Sequence, residues 1–298
     1  MMRWWDGILG IAIAACGCCC AAAQGLAQDA DPNVACGGET IAHATVSRII
    51  DGRTFVLDGG QEVRLAAIEV PPLSAAGTSA TAADAAGQGA AAKSSLDALV
   101  GGDEVVLRRA GTDLDHNLDR YGRMVTYAYA VRDGTELFAQ GELLAAGFAQ
   151  VAEKVAERAG SKACAAELLG AEKAARQAKL GLWADPYYEV LPADRPADVL
   201  ARRGRFALVE GQVVSVHESG PTIYVNFGRL WSESFAVTIS KRNERNFTAA
   251  GLDLKALAGR RVRVRGWVEA HREANGGNGS VPWIEAARPE QIEETSRN

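Results

Sequence analysis

The sequence has few of the residues that bind transition metals, with six cysteines and four histidines in 298 residues. Four of the cysteines fall within residues 16–20, so the rest of the chain contains only Cys36 and Cys164. Beyond residue 20 there is no Cys-x-x-Cys pair and the histidines are scattered, which argues against a zinc site. Phosphate loops, dinucleotide-binding glycine motifs and the serine elbow of hydrolases are also missing, which removes those function classes.

Residues 1–27 have the composition of an export signal. One arginine precedes a stretch of apolar and small residues at 8–23, and Gly25 and Ala27 supply small residues for cleavage after position 27. The alternative is a bacterial lipobox at 13–16, which would place a lipid anchor on Cys16. The stretch is short and alanine-rich for a membrane span, so we expect no transmembrane segment in the mature chain, the alternative being an uncleaved anchor. Both interpretations predict export, to the periplasm or as a secreted protein.

The two remaining cysteines fit an oxidising compartment. Exported proteins commonly pair their cysteines, so we predict one disulfide between Cys36 and Cys164, the alternative being two free thiols. The closed loop would exceed a hundred residues, for which the chain-entropy relation gives about 4–5 kcal/mol of stabilisation.

Negative charge is concentrated in the first part of the chain. The formal net charge is −5, and residues 201–298 contain 15 Lys and Arg against 11 Asp and Glu, a net of +4, which leaves −9 for residues 28–200. Any affinity for nucleic acid must therefore come from a local basic patch rather than from the overall charge.

The pattern up to residue 183 predicts a barrel of the oligonucleotide/oligosaccharide-binding (OB) type with added helices. Tight Asp-Gly turns separate three β-branched runs, and an Ala/Gly/Ser/Thr-rich segment at 73–92 leads into a helix. Two further strands and two helices follow. Three strands, a helix and two strands are typical of a five-stranded OB barrel. The predicted strands are 42–50, 54–57, 62–70, 104–109 and 124–131, and the predicted helices are 90–99, 136–146 and 156–179.

A second β-rich unit is predicted after a linker. Prolines among charged residues suggest an extended linker at 184–201. β signals then return over 202–298, with a short helical stretch near 253–257 before the fourth strand, which predicts a second OB-like barrel. The fold class is therefore mainly β with α. The predicted strands of this unit are 206–217, 222–227, 235–240, 261–269 and 283–287.

Four short motifs give the first unit a family resemblance. In order and spacing they resemble the staphylococcal nuclease (thermonuclease) family from about residue 40 to residue 183, and we assign 28–183 to such a domain. Each motif is weak alone, but the four in register are specific. They are Asp51–Thr54, residues 63–72 with Ile-Glu-Val-Pro-Pro at the end, Asp119–Arg123 and Gly181–Trp183.

The resemblance implies a phosphodiester-hydrolysing site. The family holds Ca²⁺ with two carboxylates and a backbone carbonyl, orients water with a glutamate and grips the phosphate with two arginines. The phosphate-binding arginines correspond to Arg64 and Arg123. The second metal carboxylate corresponds to Glu69, the first metal position is occupied by Arg53, and Asp51, the first acid of the turn, is a further candidate metal ligand. Arginine suits phosphate because its planar fork donates two parallel hydrogen bonds. The catalytic roles that the resemblance implies fall on Arg64, Arg123 and Glu69.

Two positions depart from the family pattern in a way that affects catalysis. Arg53 stands where a metal carboxylate is expected, which changes the local charge by two units, disfavours Ca²⁺ and could form an ion pair with Glu69 in place of the metal. Pro72 stands at the position of the family glutamate and cannot orient or deprotonate water, a loss that commonly costs ~10²–10⁴ in rate. Glu153 and Val155 replace two tyrosines, which removes a base-stacking surface.

Three functions remain open from the sequence. The first is a degenerate nuclease domain that binds nucleic acid or another phosphorylated or anionic ligand without cutting it. In the alternative to this function, nearby carboxylates neutralise the arginines and the domain binds no such ligand. The second is an active, divergent metal-dependent nuclease with a rebuilt site, so enzymatic activity is undecided. For the first of these functions, the arginines that could converge on one face of the barrel and bind the anionic ligand are Arg53, Arg64, Arg120 and Arg123.

The third function is an envelope interaction or nucleic-acid-binding module in the second unit. Arg261, Arg263 and Arg265 alternate along a predicted strand and would project from one face. Such a basic face with neighbouring aromatic residues could hold single-stranded nucleic acid, whereas the alternative is an ordinary solvated strand. The neighbouring aromatic residues are Tyr224, Phe227, Trp231 and Trp267.

Overall fold

The computed structural model describes residues 36–73, 80–110, 118–152, 161–272 and 280–295. The predicted export signal at 1–27, with the alternative lipid site at Cys16, lies outside these residues, and so do Glu153 and Val155. Within the described ranges, no helix has both the length and the apolar character needed to cross a membrane.

The first unit is a closed five-stranded barrel. β1 pairs with β2 and β5, β2 with β3 and β5 with β6, and a parallel pairing of β3 with β6 completes the circle. A helix connects the third barrel strand to the fourth, as expected for an OB fold. The strands of this unit are β1 (Thr40–Asp51), β2 (Thr54–Leu57), β3 (Glu62–Leu65), β4 (Ile68–Glu69), β5 (Glu104–Arg109), β6 (Met124–Arg132), β7 (Thr135–Phe138) and β8 (Gln150–Val151). Its helices are α1 (Ala80–Val100), α2 (Ala139–Ala145) and α3 (Ser161–Gln177).

Two local features differ from the sequence prediction. The single strand expected at 62–70 is broken at Ala67, whose φ of 64° turns the chain, so that β4 leaves the barrel and pairs with β8. The helix expected at 136–146 begins at Ala139 because a turn at Asp133–Gly134, both with positive φ, folds β7 back onto β6. An Asp-Gly pair is a strong hairpin signal, and here it overrides the helical pattern that follows it.

The segment at 184–201 is not the extended linker that its prolines suggested. It contains a short 3₁₀ helix at Pro186–Tyr188, strand β9 (Leu191–Pro192) and helix α4 (Pro196–Leu200). β9 pairs in parallel with the first strand of the second barrel, and Val199 is fully buried in that barrel's core. The proline-based prediction was wrong because apolar residues between the prolines are buried and fix the backbone.

The second unit closes in the same cyclic order as the first, which confirms the predicted second OB-like barrel. β10 and β11 are successive parts of one strand, which pairs with β14 at one end and β12 at the other, while β13 and β15 pair in parallel. Helix α5 (Glu244–Ala250), which the sequence analysis missed, again precedes the fourth barrel strand. The strands are β10 (Phe206–Gln212), β11 (Ser215–Ser219), β12 (Thr222–Asn226), β13 (Ala236–Ser240), β14 (Arg261–Arg272), β15 (Ser280–Glu285) and β16 (Ile292–Glu294).

A buried ion pair joins the two barrels. The Arg265 guanidinium, on β14, donates to both carboxylate oxygens of Glu172, on α3, at 2.7 and 3.1 Å, and Arg176 donates to the same carboxylate at 2.7 Å. The Val151 amide adds a fourth hydrogen bond at 2.6 Å. Burial alone would raise the pKa of Glu172, but the attraction and hydrogen bonds of Arg265 outweigh it, so the pKa lies below its ordinary value.

Elements of the two barrels also meet in a small apolar cluster. This cluster, which is separate from the two barrel cores, combines Ala175 of α3, Leu182 and Trp183 of the following 3₁₀ turn, Tyr188, and Leu208 of β10. Arg176 also lies over the Trp183 ring at 5.4 Å. Because Arg265 and Glu172 are buried and the carboxylate accepts four hydrogen bonds, the two barrels meet in a defined orientation.

The disulfide predicted from the sequence is present in the structure. Cys36, just before β1, is bonded to Cys164 on α3, and both are almost completely buried. The bond therefore fastens the start of the barrel to the helix that carries Glu172.

Candidate phosphate-binding site

The turn between β1 and β2 places Arg53 opposite Glu69. The Asp51 carboxylate accepts a hydrogen bond from the Arg53 amide at 2.9 Å, which stabilises the turn. The Arg53 guanidinium then reaches β4, where it pairs with Glu69 at 2.5 Å and donates to the Ile68 carbonyl at 2.9 Å. The side chains of Arg53 and Glu69 are only 14% and 16% exposed, so this ion pair is well shielded from water.

These residues do not fit the Ca²⁺ that the family resemblance implies. Ca²⁺ requires six to eight oxygen ligands, with carboxylates among them. Asp51 and Glu69 line the same cavity, but the Arg53 guanidinium binds Glu69 and adds a fixed positive charge there. Throughout the described ranges, no group of three or more His, Cys, Asp or Glu residues could hold a metal ion.

Arg64 is a half-buried cation beside this ion pair. It lies on β3 opposite Thr54, and the next residue donates its amide to the Arg53 carbonyl at 2.8 Å. Burial lowers the pKa of Arg64 and the charges of Arg53 and Arg123 lower it further, while Glu69 and Asp51 act in the opposite direction. In the part of the chain that the structure describes, no carboxylate forms an ion pair with Arg64.

Arg123 is brought near Arg64 but is already paired. Its guanidinium binds the Asp119 carboxylate through Nε at 2.8 Å and Nη2 at 2.6 Å, and the amides of Tyr121 and Arg123 donate to the same carboxylate. Burial opposes ionisation of Asp119, but these hydrogen bonds dominate and hold its pKa below the ordinary value. Arg120 is exposed, and its guanidinium lies over the Tyr121 ring at 4.7 Å. The structure gives no contact between Arg120 and Arg64.

A cavity of about 350 Å³ extends from the Arg53–Glu69 pair to the second barrel. On the side of the first barrel it is lined by Asp51, Pro72 and Gln150 in addition to the ion pair. On the other side it is lined by Tyr187, Tyr188, Arg205, Phe206 and Trp267. No sequence pattern connects Arg205 or Trp267 with this site, because only the packing of the two barrels brings these distant segments together.

The basic face predicted on β14 is neutralised by carboxylates. Arg261 and Arg263 bind Glu210 at 2.8 and 2.6 Å, and Arg263 also pairs with Glu293 at 3.3 Å. Arg265 forms the buried ion pair with Glu172 and is not available to a ligand on this face. The alternation predicted one face correctly, but cross-strand glutamates make that face a poor surface for nucleic acid.

The aromatic residues expected beside those arginines are also distributed differently. Phe227 is a core residue, whereas Trp231 and Tyr224 line a separate groove on the outside of β12 and β13. Only Trp267 faces the cavity that contains Arg53 and Glu69. The prediction that all of these side chains form one surface with the arginines is therefore wrong.

The closed five-stranded barrel, with a helix between its third and fourth strands, defines an OB-fold domain. Residues 62–185 match the family model described as staphylococcal nuclease homologue. The match covers β3, the Arg64 and Arg123 positions, and the chain as far as the 3₁₀ turn after α3. This part of the chain is thus similar to staphylococcal nuclease homologues, with an SNase-like OB fold. A search of curated proteins gives no match.

Proposed function

We propose that the nuclease-like domain binds a phosphate ester without hydrolysing it, in a protein that is exported. Arg64 is the residue that receives the phosphate. The nuclease-family match and the OB fold support a ligand of the nucleic-acid type, and the disulfide supports an oxidising compartment outside the cytoplasm.

The observation that carries this proposal is that Arg64 forms no ion pair with a carboxylate among the described residues. The guanidinium is half-buried, and burial together with the charges of Arg53 and Arg123 lowers its pKa, an effect that Glu69 and Asp51 offset only in part. An anionic ligand would relieve the repulsion from Arg53 and Arg123 and accept hydrogen bonds from the guanidinium fork. Arg53 and Arg123 contribute charge, but their own hydrogen bonds are directed to Glu69 and Asp119.

The same geometry explains why hydrolysis is not expected. Arg53 forms an internal cation–carboxylate pair where the family would place a metal, and the exposed Pro72 offers no proton acceptor for an attacking water. The site therefore keeps groups that hold a phosphate but lacks those that activate the nucleophile.

Calorimetric titration of the mature protein with ribose 5-phosphate tests the binding step. Loss of a hydrogen bond between charged groups costs about 1.5–3 kcal/mol, so Arg64→Ala should weaken binding by about tenfold or more. Arg242→Ala is the matched control, because it removes an exposed arginine from the second barrel and should leave the affinity unchanged. Equal affinities of wild type and Arg64→Ala would refute the proposal.

A cleavage assay tests the second half of the proposal. Fluorescently labelled single-stranded DNA is incubated with the protein and Ca²⁺, Mg²⁺ or Mn²⁺, with a chelator as the control. We expect no metal-dependent product at micromolar protein, whereas metal-dependent cleavage would establish the alternative of an active, divergent nuclease.

A further inference from the structure

We propose that the second barrel completes the phosphate site and makes it selective for a nucleotide, whose base stacks on Trp267. This inference rests on the proposed function, because it takes Arg64 as the receptor of the phosphate. It assigns to the second barrel a direct part in ligand recognition.

The cavity has two chemically different sides. The first barrel contributes the Arg53–Glu69 pair, and the second contributes the indole of Trp267 and the ring of Phe206. Trp267 is 41% exposed, and Phe206 contacts it edge-on with ring centroids 6.2 Å apart. Phe206 therefore supports the indole without covering its whole surface, and a flat aromatic surface open to a cavity favours a ligand with a planar ring.

The stacking surface is held in place before any ligand arrives. Trp267 follows the buried Arg265 by two residues on β14 and pairs across the sheet with Phe206. The adjacent Val268 exchanges backbone hydrogen bonds with the segment before β10, donating to the Arg205 carbonyl at 2.9 Å and accepting from the Gly204 amide at 2.8 Å. Because Arg265 is anchored on α3 of the first barrel, Trp267 has a fixed position relative to Arg53 and Glu69.

The second barrel also brings a cation to the cavity. Arg205 is half-buried, and among the residues with described side chains no carboxylate forms an ion pair with it. Arg202, by contrast, is engaged over the Tyr187 ring at 3.8 Å. Arg205 lines this side of the cavity, and Arg64, which does not line the cavity itself, lies near Arg53 and Glu69 on the other side. The ligand should therefore contain an anionic group as well as a ring, which is the combination found in a nucleotide.

The size of the cavity limits how much of a nucleic acid can enter. About 350 Å³ is near the lower end of the range for ligand pockets, roughly 300–1,000 Å³, and accommodates one nucleotide rather than a stacked series. The site should therefore prefer a free nucleotide or the end of a strand to an internal stretch of polymer.

Paired titrations separate base recognition from phosphate recognition. Adenosine 5′-monophosphate and ribose 5-phosphate are titrated into the wild type, Trp267→Ala, Trp267→Phe and the control Trp231→Ala, which removes a 61% exposed indole from the separate groove. Loss of one base stack corresponds to about a 5- to 150-fold weaker affinity. We expect this loss for adenosine 5′-monophosphate with Trp267→Ala, partial recovery with Trp267→Phe, and ribose 5-phosphate affinity within twofold in every variant.

The outcomes distinguish this inference from the proposed function. If the wild type binds both ligands equally and Trp267→Ala changes neither, the phosphate site stands and the stacking role is refuted. If ribose 5-phosphate does not bind at all, the proposed function itself fails. A circular single strand of DNA has no ends, so at equal nucleotide concentration it should displace adenosine 5′-monophosphate only weakly. Strong displacement would refute the preference for a free nucleotide or a strand end. Thermal unfolding of each variant checks that it is folded.

Discussion

Replacement of Arg265 by methionine should strongly destabilise the protein. The change removes two of the four hydrogen bonds to the Glu172 carboxylate and leaves that fully buried group with Arg176 and the Val151 amide. Removing one member of a buried ion pair typically costs 3–5 kcal/mol, because the other charge remains buried without compensation. Since Arg176 stays bound, we expect the lower end of that range, about 3 kcal/mol.

Urea unfolding followed by circular dichroism measures this loss. With a slope of about 3 kcal/mol per M, the midpoint should fall by about 1 M. Glu172→Met combined with Arg265→Met removes both charges of the pair and should recover at least half of the loss, because apolar side chains of similar volume tolerate burial. A decrease below about 1 kcal/mol in the single variant would contradict the argument that this pair joins the barrels.

The pH dependence provides a second check on the same residue. In the wild type the folded pKa of Glu172 lies below its unfolded value, so its contribution to stability is present above the unfolded pKa and is lost as the pH falls through the folded pKa. Without Arg265, burial should dominate and raise the folded pKa, so that the variant gains stability relative to the wild type on acidification. The stability difference should therefore narrow between pH 7 and about pH 4.5. A difference that stays constant over this range would contradict the assignment.

Three further predictions concern other parts of the first barrel. Arg53→Asp should create Ca²⁺ binding with a dissociation constant of about 10⁻⁴–10⁻³ M, measured by calorimetry, because it replaces the cation by a third carboxylate beside the existing two. Reduction of the Cys36–Cys164 bond should lower the free energy of unfolding by about 4–5 kcal/mol in urea titrations, because the loop spans 128 residues. Gly147→Ala should cost at least about 2 kcal/mol in thermal or urea unfolding, because φ is 76° and a Cβ would lie 2.3 Å from the Leu180 carbonyl oxygen.

Each of these predictions has a control. Calcium binding by the wild type under the same conditions would show that Arg53 does not prevent it. A doubly Cys→Ala variant should match the reduced protein, and an oxidised protein no more stable than either would contradict the disulfide's role. Gly170→Ala, in helix α3 and with no atom near the added methyl group, should not destabilise the protein, and an equal loss at both glycines would contradict the steric explanation.

The sequence predicted the barrels better than the region where they meet. Strand order follows from β-branched runs and Asp-Gly turns, which are local signals, and the cyclic pairing then follows from the OB pattern. The pairing of Arg53 with Glu69 could also be anticipated, because opposite charges replaced a metal and its ligands on neighbouring elements. By contrast, nothing local marks Arg265 as buried, since its alternation with Arg261 and Arg263 is that of a solvated strand face.

Two other features could not be predicted from local sequence for the same reason. They are the structure of the segment at 184–201 and the position of Trp267 in the lining of the cavity. Prolines are a reliable sign that a long helix is interrupted. They do not reveal that Val199 packs in the core of the second barrel, most of whose residues come later in the sequence. Likewise, the composition around Trp267 indicates an aromatic strand and not which cavity it faces. Both depend on contacts between residues far apart in sequence, which a pattern of period two or 3.6 does not contain.

The disulfide determines what a single proteolytic cut would do. A break in the backbone anywhere between Cys36 and Cys164 leaves two fragments that remain covalently joined by the disulfide, which attaches the N-terminal fragment to α3. Glu172 lies eight residues further along the same helix and holds the second barrel through Arg265, so neither fragment loses its connection to the rest of the molecule. The nicked protein would migrate as one species in a denaturing gel without reductant and separate into two after reduction, so loss of chain continuity need not mean loss of the assembled molecule.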